Sequence, residues 1–248
     1  VTADDIGALP DRSVTEALQR VPGVSINRFA GASDPDHFSV EGSGVVIRGL
    51  NFVRSELNGR DTFSANNGRD LSFADVPSEL LGSVEVFKNA SAEMIEGGIG
   101  GTVNLNTRKP FDSPGRVVAF TTEASYGDMR HNLAPTISLL GSDRWDTALG
   151  EFGLLLSGVH SELDSRAEGL QSLNYRLSTV DGEDRWTPSG LAFRTQEFDR
   201  RRDGIAAAGQ WRSNDRRMVA TLQYLRSDSQ QAWLENAIES VVDDTGNR

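Results

Sequence analysis

The sequence of 248 residues contains no cysteine. Disulfides, thiolate metal sites and cysteine nucleophiles are therefore excluded, and the fold must be stable without covalent cross-links. Histidine is almost as scarce: His37, His131 and His160 lie far apart and show no metal-ligand spacing. We expect neither a metal site nor a bound cofactor.

Long hydrophobic runs and excess positive charge are also missing. The longest apolar cluster, 152–159, is short and broken by glycine and serine, whereas a membrane helix needs about 20 apolar residues. A helical membrane protein is thereby excluded, but membrane strands, which need only about 10 alternating residues, are not. Lys and Arg number 25 against 36 Asp and Glu, a net charge of −11. This balance argues against nucleic acid as a partner.

No enzyme signature stands out, and we assign no catalytic residue. A G-x-S-x-G nucleophile motif is absent, and no pair of carboxylates suggests an acid–base couple. The glycine cluster at 97–101 resembles a dinucleotide-binding loop only superficially. Val103 occupies the place of the third glycine, and a strand pattern follows where that motif requires a helix. The sequence predicts a protein that is not an enzyme.

The most informative stretch runs from 83 to 108. Hydrophobic residues alternate with polar ones at both of its ends, which predicts two short strands joined by a helical turn and a glycine corner. A glycine cluster permits positive φ and a close approach of backbone segments. We assign a structural role to four glycines, Gly97, Gly98, Gly100 and Gly101.

Upstream of this stretch, the sequence predicts a helix and several strands. Ser13 and Glu16 form a capping box before a hydrophobic helical face. Strand patterns follow at 24–29 and 45–48, separated by a polar loop at 30–44. A further strand at 52–57 precedes Asn-Gly, a dipeptide that favours a hairpin turn.

From about residue 116 the pattern changes to longer amphipathic strands. Five of them are predicted, separated by polar turns and by one long polar segment at about 168–197. Such strands suit either an outer-membrane barrel or a soluble β-sandwich, and their periodicity alone does not separate the two.

The segment 77–110 resembles the end of the plug domain of TonB-dependent outer-membrane receptors. Two upstream blocks, 9–24 and 46–50, agree with the same family in the right order. The resemblance is closest to the branch found in bacteria that scavenge plant and algal polysaccharides. The matching positions of the segment are Pro77, Glu79, Leu80, Val84, Glu85, Val86, Lys88, Glu96, Gly97, Gly100, Gly101, Val103, Asn104, Thr107, Arg108 and Pro110.

The resemblance implies a plug domain of α+β type, with a small mixed sheet and short helices, followed by antiparallel transmembrane β-barrel strands. We expect the plug at 1–110, a linker at 111–115 and the first five or so strands at 116–248. Barrels of this type close with about 22 strands. The chain is therefore expected to be the N-terminal portion of a larger protein whose TonB-binding peptide precedes Val1.

The implied function is TonB-dependent active transport of a scarce nutrient across the bacterial outer membrane, with an oligosaccharide as the expected cargo. The implied partners are TonB, outer-membrane lipid and the nutrient. Two alternatives keep the same fold: import of a ferric siderophore or another metal chelate, and a ligand-binding or signalling receptor that does not transport.

Two similar loops are the candidate ligand-binding residues. They comprise Asn58, Arg60 and Asp61, and then Asn67, Arg69 and Asp70. Their donors and acceptors suit sugar hydroxyls, and plug loops of the family face the ligand vestibule. The competing interpretation is two ordinary Asn-Gly turns with solvated charges.

Three charged residues are candidates for locking the plug in the barrel. Arg48 resembles the plug arginine that the family pairs with glutamates on the barrel wall, and Lys88 occupies the place of a second arginine. Glu85 is a candidate partner within the plug. The alternative for both basic residues is a surface charge at a sheet edge.

Overall fold

The computed structural model describes residues 13–31, 34–42, 44–61 and 73–241. Its only α-helix in these ranges, α1, spans Val14–Leu18. Ser13 caps α1, because its Oγ accepts a hydrogen bond of 3.2 Å from the backbone N–H of Glu16. The predicted N-terminal cap is confirmed.

The N-terminal domain, defined here as the described residues 13–112, contains seven short strands in three small sheets. Strands β1 and β4 pair antiparallel, as do β2 and β3, and a mixed sheet has the order β5-β7-β6. The strands are β1 Val24–Asn27, β2 Phe29–Gly31, β3 Asp34–Phe38, β4 Gly44–Ile47, β5 Val53–Leu57, β6 Leu81–Phe87 and β7 Gly101–Thr107. Three 3₁₀ turns lie at Phe73–Asp75, Ser78–Leu80 and Pro110–Asp112.

The predicted strand–glycine–strand unit is confirmed, since β6 and β7 pair antiparallel across the glycine corner. The stretch between them makes a single hydrogen-bonded turn at 91–94. Strand β5 pairs in parallel with β7, and the Asn-Gly turn after β5 brings Leu57 opposite Arg60. The hairpin pairing expected beyond residue 61 lies outside the described residues. One local expectation was wrong. The stretch 30–44, expected to be a polar loop, contains strand β3, which pairs with the short β2. Its polar residues and Pro35 gave no strand pattern in the sequence.

The core of the N-terminal domain lies between α1, β4 and the mixed sheet. Apolar side chains from each of these elements are fully removed from solvent, which is the main source of the domain's stability. Those with no exposed surface are Val14, Leu18, Ile47, Leu81, Val103 and Leu105.

The rest of the chain forms a large antiparallel sheet of five strands in the order β14-β13-β10-β9-β8, which we call the wall. Its strands are β8 Val117–Gly127, β9 Asn132–Thr147, β10 Gly150–Ser172, β13 Gly190–Arg212 and β14 Val219–Val241. A small hairpin of β11 Tyr175–Val180 and β12 Glu183–Pro188 connects β10 to β13. The five predicted strands are confirmed, whereas the expected polar segment at 168–197 is largely strand.

The wall has two different faces. On β10 and β13, alternate residues are buried against the N-terminal domain, and we call this side the inner face. The residues between them point to the outer face, where large apolar side chains are exposed on every strand. Cross-strand register places Phe120, Leu139, Gly158 and Ile205 in one row on this face.

Among the residues that the structure describes, no helix has the length and apolar character needed to cross a membrane.

Candidate functional site

The N-terminal domain contacts the inner face of the wall at three levels. The first is the 3₁₀ turn Pro110–Asp112, near the short β9–β10 and β13–β14 connections. The backbone N–H of Phe111 donates a hydrogen bond of 2.8 Å to Gln210 Oε1. Two guanidinium groups lie over the Phe111 ring, that of Arg144 at 5.0 Å and that of Arg212 at 4.6 Å from the ring centroid. Cation–π contacts thus hold the end of the domain on the wall.

The second level combines polar contacts with a small apolar cluster. Gln223 Nε2 donates a hydrogen bond of 2.7 Å to Thr107 Oγ1 at the end of β7. Nearby, Ser227 Oγ donates to the carbonyl of Asp75 at 2.5 Å. Leu80 is the main apolar contact and packs against Val159 and Ala206 of the wall.

Glycines on the inner face make room for the domain. A Cβ on Gly204 would lie 2.8 Å from Leu80 Cδ1, and one on Gly153 would lie 2.5 Å from Pro110 Cβ. A Cβ on Gly169 would meet the Phe38 ring at 2.9 Å. Real Cβ atoms essentially never approach so closely. The missing Cβ atoms of these three glycines, which we call the wall glycines, leave the space that the domain occupies.

The third level is a buried ion cluster. Glu41 of the N-terminal domain binds two arginines of β13: its Oε2 accepts from Arg200 Nη1, and its Oε1 accepts from Arg202 Nη2 at 3.1 Å. The side chains of Glu41, Arg200 and Arg202 are 3, 9 and 7% exposed. Charges this deeply buried are costly to desolvate and need such pairing.

Local structure holds Glu41 in this position. Ser13 Oγ, the cap of α1, donates a hydrogen bond of 3.3 Å to the Glu41 carbonyl. Gly42 follows with φ of +84°, and a Cβ there would lie 2.9 Å from Ile26 Cδ1 and 3.1 Å from Thr15 Cγ2. Only glycine fits both this backbone conformation and this space. The carboxylate of Glu41 is thus directed at the wall by the backbone around it.

Beside this cluster lies a second group of polar and aromatic side chains. His37 Nε2 lies 3.1 Å from Glu235 Oε2, and the His37 ring is 5.3 Å from the Trp233 ring. Glu235 also accepts a hydrogen bond of 2.7 Å from Arg194. Trp233 is 55% exposed on the inner face and offers an aromatic surface next to carboxylate and guanidinium groups. Such a combination suits a polar ligand.

The first predicted ligand loop is a tight turn from 57 to 60. Asn58 and Gly59 have positive φ, of 53 and 73°. Asn58 Oδ1 accepts hydrogen bonds from the backbone N–H and hydroxyl of Thr107, at 3.0 and 3.2 Å. Asn58 is therefore engaged in joining the turn to β7. The exposed Arg60 lies beside a gap between Thr107 and β14.

The other predicted ligand residues divide into two groups. Asp61 pairs with Arg54. A hydrogen bond from Arg54 to Glu56, with Asp61 beside it, raises the pKa of Arg54 above its ordinary value. Asn67, Arg69 and Asp70 lie outside the described residues. The ligand-binding role of both loops stays a prediction.

The predicted locking residues make their observed contacts within the N-terminal domain. Arg48 is exposed with φ of 53° and donates a hydrogen bond of 2.9 Å to Asn89 Oδ1. Lys88 Nζ donates to the carbonyl of Pro22. Glu85 accepts from the side-chain amides of Asn104 and Asn106, at 3.2 and 3.0 Å. Their role in locking also stays a prediction.

The four glycines assigned a structural role lie at positive φ or where the backbone is tightly packed. Gly97 and Gly101 have φ of 134 and 142°. A Cβ on Gly101 would lie 2.5 Å from the Phe87 carbonyl oxygen, and one on Gly98 would lie 2.2 Å from the Gly101 carbonyl oxygen. A Cβ on Gly100 would meet the Leu50 carbonyl oxygen at 3.0 Å.

Sequence reasoning missed the Glu41–Arg200–Arg202 cluster. A signal was present in part, because Arg200 and Arg202 are two residues apart and must share a face if the segment is a strand. The polar segment was expected to end at about residue 197, and Arg200 and Arg202 just after it were assigned to no strand, so they were not placed on an inner face. Nothing local marks Glu41 as their partner, since 159 residues separate it from Arg200.

Residues 1–102 match the family model described as TonB-dependent Receptor Plug Domain. No curated protein matches the chain. Among solved structures, the siderophore receptor PirA from Acinetobacter baumannii matches with 15% identity and a TM-score of 0.48, over 95% of this chain and 43% of that one. A mutant of the ferric enterobactin receptor PfeA from Pseudomonas aeruginosa matches with 14% identity and a TM-score of 0.47, over 92% and 40%.

The plug match and the observed strands confirm the predicted fold class, a plug domain followed by antiparallel strands. The match to the plug-domain model covers residues 1–102 and bears on that part of the chain. The chain spans less than half the length of the two receptors it was compared with. The expected boundaries at 110 and 116 stay a prediction.

Proposed function

We propose that this chain is the N-terminal portion of a TonB-dependent outer-membrane transporter in which the N-terminal domain closes the barrel. The observation that carries this proposal is the seating of a plug-like domain on the inner face of a sheet whose outer face exposes large apolar side chains on every strand. Partners of such a protein are TonB on the periplasmic side, membrane lipid around the wall and a nutrient on the outside.

The outer face of the wall supports a membrane location. Leu139, Leu156 and Leu222 are 57, 56 and 79% exposed there, which is costly in water and favourable in lipid. At the end of the wall near the short β9–β10 connection, register aligns Trp145, Phe152 and Trp211. Aromatic residues at this boundary flank the apolar band of outer-membrane barrels. A soluble sandwich would instead expose polar side chains on this face.

The contacts between the N-terminal domain and the wall support movement of the domain. Most of them are hydrogen bonds and ion pairs, and the apolar cluster around Leu80 is small. Polar groups can exchange their partners for water when the domain shifts, whereas a large apolar interface would resist separation.

An oligosaccharide is the cargo that we favour. The exposed Trp233 beside His37, Glu235 and Arg194 provides an aromatic surface with hydrogen-bonding groups around it. Aromatic faces and planar polar groups suit sugar rings and their hydroxyls. The plug loop with Asn58, Arg60 and Asp61 would add further polar groups.

A ferric siderophore is the second candidate, and a specific observation favours it. Arg200 and Arg202 place two guanidinium groups on the inner face. Paired guanidinium groups suit the carboxylates or other anionic groups of a metal chelate. The same residues would also suit an acidic sugar.

Growth and uptake experiments test this function. A deletion strain carrying the full-length gene on a plasmid would be supplied with labelled oligosaccharides or with ferric chelates, with and without TonB. We expect uptake of one cargo class to require both the receptor and TonB. Equal uptake in the deletion strain and the complemented strain, for every cargo in both classes, would contradict the proposal.

A further inference from the structure

We propose that Arg200 and Arg202 form an anion-binding site on the inner wall, which Glu41 occupies at rest and a carboxylate of the cargo occupies during transport. The inference rests on the proposed function, because only a mobile N-terminal domain would withdraw Glu41 from the pair. While the receptor is closed, the carboxylate of Glu41 occupies the place that a carboxylate of the cargo takes during transport.

The site is built into the wall. Arg200 and Arg202 are two residues apart on β13, so their side chains leave the same face about 6.6 Å apart along the strand. One carboxylate bridges this distance, with one oxygen for each guanidinium group. Charge-assisted hydrogen bonds of this kind are the strongest that side chains make with a carboxylate.

Wall residues orient Arg200 independently of the N-terminal domain. Its Nη2 donates a hydrogen bond of 2.6 Å to Gln231 Oε1 of β14. Its guanidinium carbon lies 5.4 Å from the Phe198 ring centroid. Both contacts come from the wall itself and would persist after the N-terminal domain moves. The guanidinium group is therefore preorganised for the next anion.

Glu41 leaves this site at a high cost unless another anion replaces it. Removing the bridging carboxylate from a buried ion cluster weakens the compensation of the charges that remain, which is unfavourable. A cargo carboxylate offers the same two oxygens and the same charge as Glu41. It would therefore offset the loss of Glu41 and favour the open arrangement over the closed one. A neutral cargo lacks this effect.

Chemical rescue tests the site directly. In the full-length receptor, Glu41→Ala removes the bridging carboxylate and leaves a space of the size of acetate. Acetate restores the negative charge in this space, whereas acetamide has the same size and no charge. We expect Glu41→Ala to raise ion conductance through the receptor in planar bilayers several-fold. Acetate should reverse most of this increase, and acetamide should not. Glu93→Ala, which removes an exposed carboxylate from the same domain, is the matched control and should behave as wild type.

The arginines must be responsible for the rescue. We expect acetate to have no effect on the double variant Glu41→Ala with Arg202→Gln, in which a neutral amide replaces one of the two guanidinium groups that hold the carboxylate. Heat-modifiable electrophoretic mobility checks that each variant forms a barrel. Equal effects of acetate and acetamide on Glu41→Ala would overturn the proposal. Undiminished acetate rescue in the double variant would overturn it too.

Uptake measurements identify the source of the carboxylate. Labelled oligogalacturonide and ferric citrate represent an acidic sugar and a carboxylate chelate, and a neutral galacto-oligosaccharide is the comparison. We expect Arg202→Gln to lower TonB-dependent uptake of whichever acidic cargo the wild type takes up. Wild-type uptake of the neutral cargo alone would overturn the cargo part of the proposal. Failure of all TonB-dependent uptake, with acetate rescue intact, would instead refute the proposed function and leave the site standing.

Discussion

Gly204→Ala is expected to unseat the N-terminal domain. The added Cβ would lie 2.8 Å from Leu80 Cδ1, 2.9 Å from Val159 Cγ1 and 3.1 Å from Pro77 Cγ. Leu80 is only 2% exposed and has little room to change its rotamer. Strand β13 is hydrogen-bonded along its whole length to β10 and β14. The N-terminal domain, held by fewer contacts, must therefore give way.

The magnitude follows from the energetics of overpacking. Inserting a methyl group into a filled contact costs about 1–3 kcal/mol. If the closed arrangement bears this cost, the ratio of displaced to seated domain rises by about 5- to 150-fold. We expect a corresponding rise in the frequency of channel openings in planar bilayers and in susceptibility to large antibiotics such as vancomycin.

Gly209→Ala is the matched control, because it lies on the same strand and a Cβ there would meet nothing within 4 Å. Both variants add the same methyl group to the same strand. Equal channel opening in the two variants, at the wild-type level, would refute the conclusion that the wall glycines seat the domain.

Three further predictions concern the loops of the N-terminal domain. Asn58→Ala should lower the free energy of unfolding of the domain by about 1–3 kcal/mol, because two hydrogen bonds to Thr107 are lost, and thermal unfolding measures this. Arg60→Ala should weaken binding of the transported ligand without changing thermal stability; unchanged affinity in a titration would remove Arg60 from the ligand site. Arg48→Ala should leave ligand affinity nearly intact but make the pore leaky, and wild-type antibiotic exclusion would count against its locking role. Asn89→Ala removes the partner of Arg48 and serves as its control.

Short-range patterns predicted much of the fold. The cap at Ser13 depends on residues within one helical turn, and the pairing of β6 with β7 depends on a glycine corner between two alternating segments. The outward positions of β8, such as Phe120, follow from the period of two that every strand obeys. These features are set by neighbours in the chain, so the sequence displays them directly.

Contacts between distant segments could not be predicted in the same way. The parallel pairing of β5 with β7 joins segments about 50 residues apart, and the turn at Asn58 suggested a nearer partner. Glu41 meets Arg200 across 159 residues, and its environment becomes buried only when the wall covers it. Periodicity reports which face a residue occupies, and it carries no information about what that face will meet.

The central claim, that the N-terminal domain must move along the wall for transport, is tested most directly by tethering the two. The native chain has no cysteine, so a pair introduced as Leu80→Cys with Gly204→Cys is the only disulfide that these residues can form. Leu80→Cys removes the Cδ1 atom that a Cβ at 204 would meet at 2.8 Å, so the two sulfur atoms can occupy the space of that methyl group. We predict that the oxidised receptor binds its ligand but does not transport it, and that reduction restores uptake. Uptake by the fully oxidised protein at the rate of the reduced protein would contradict the account.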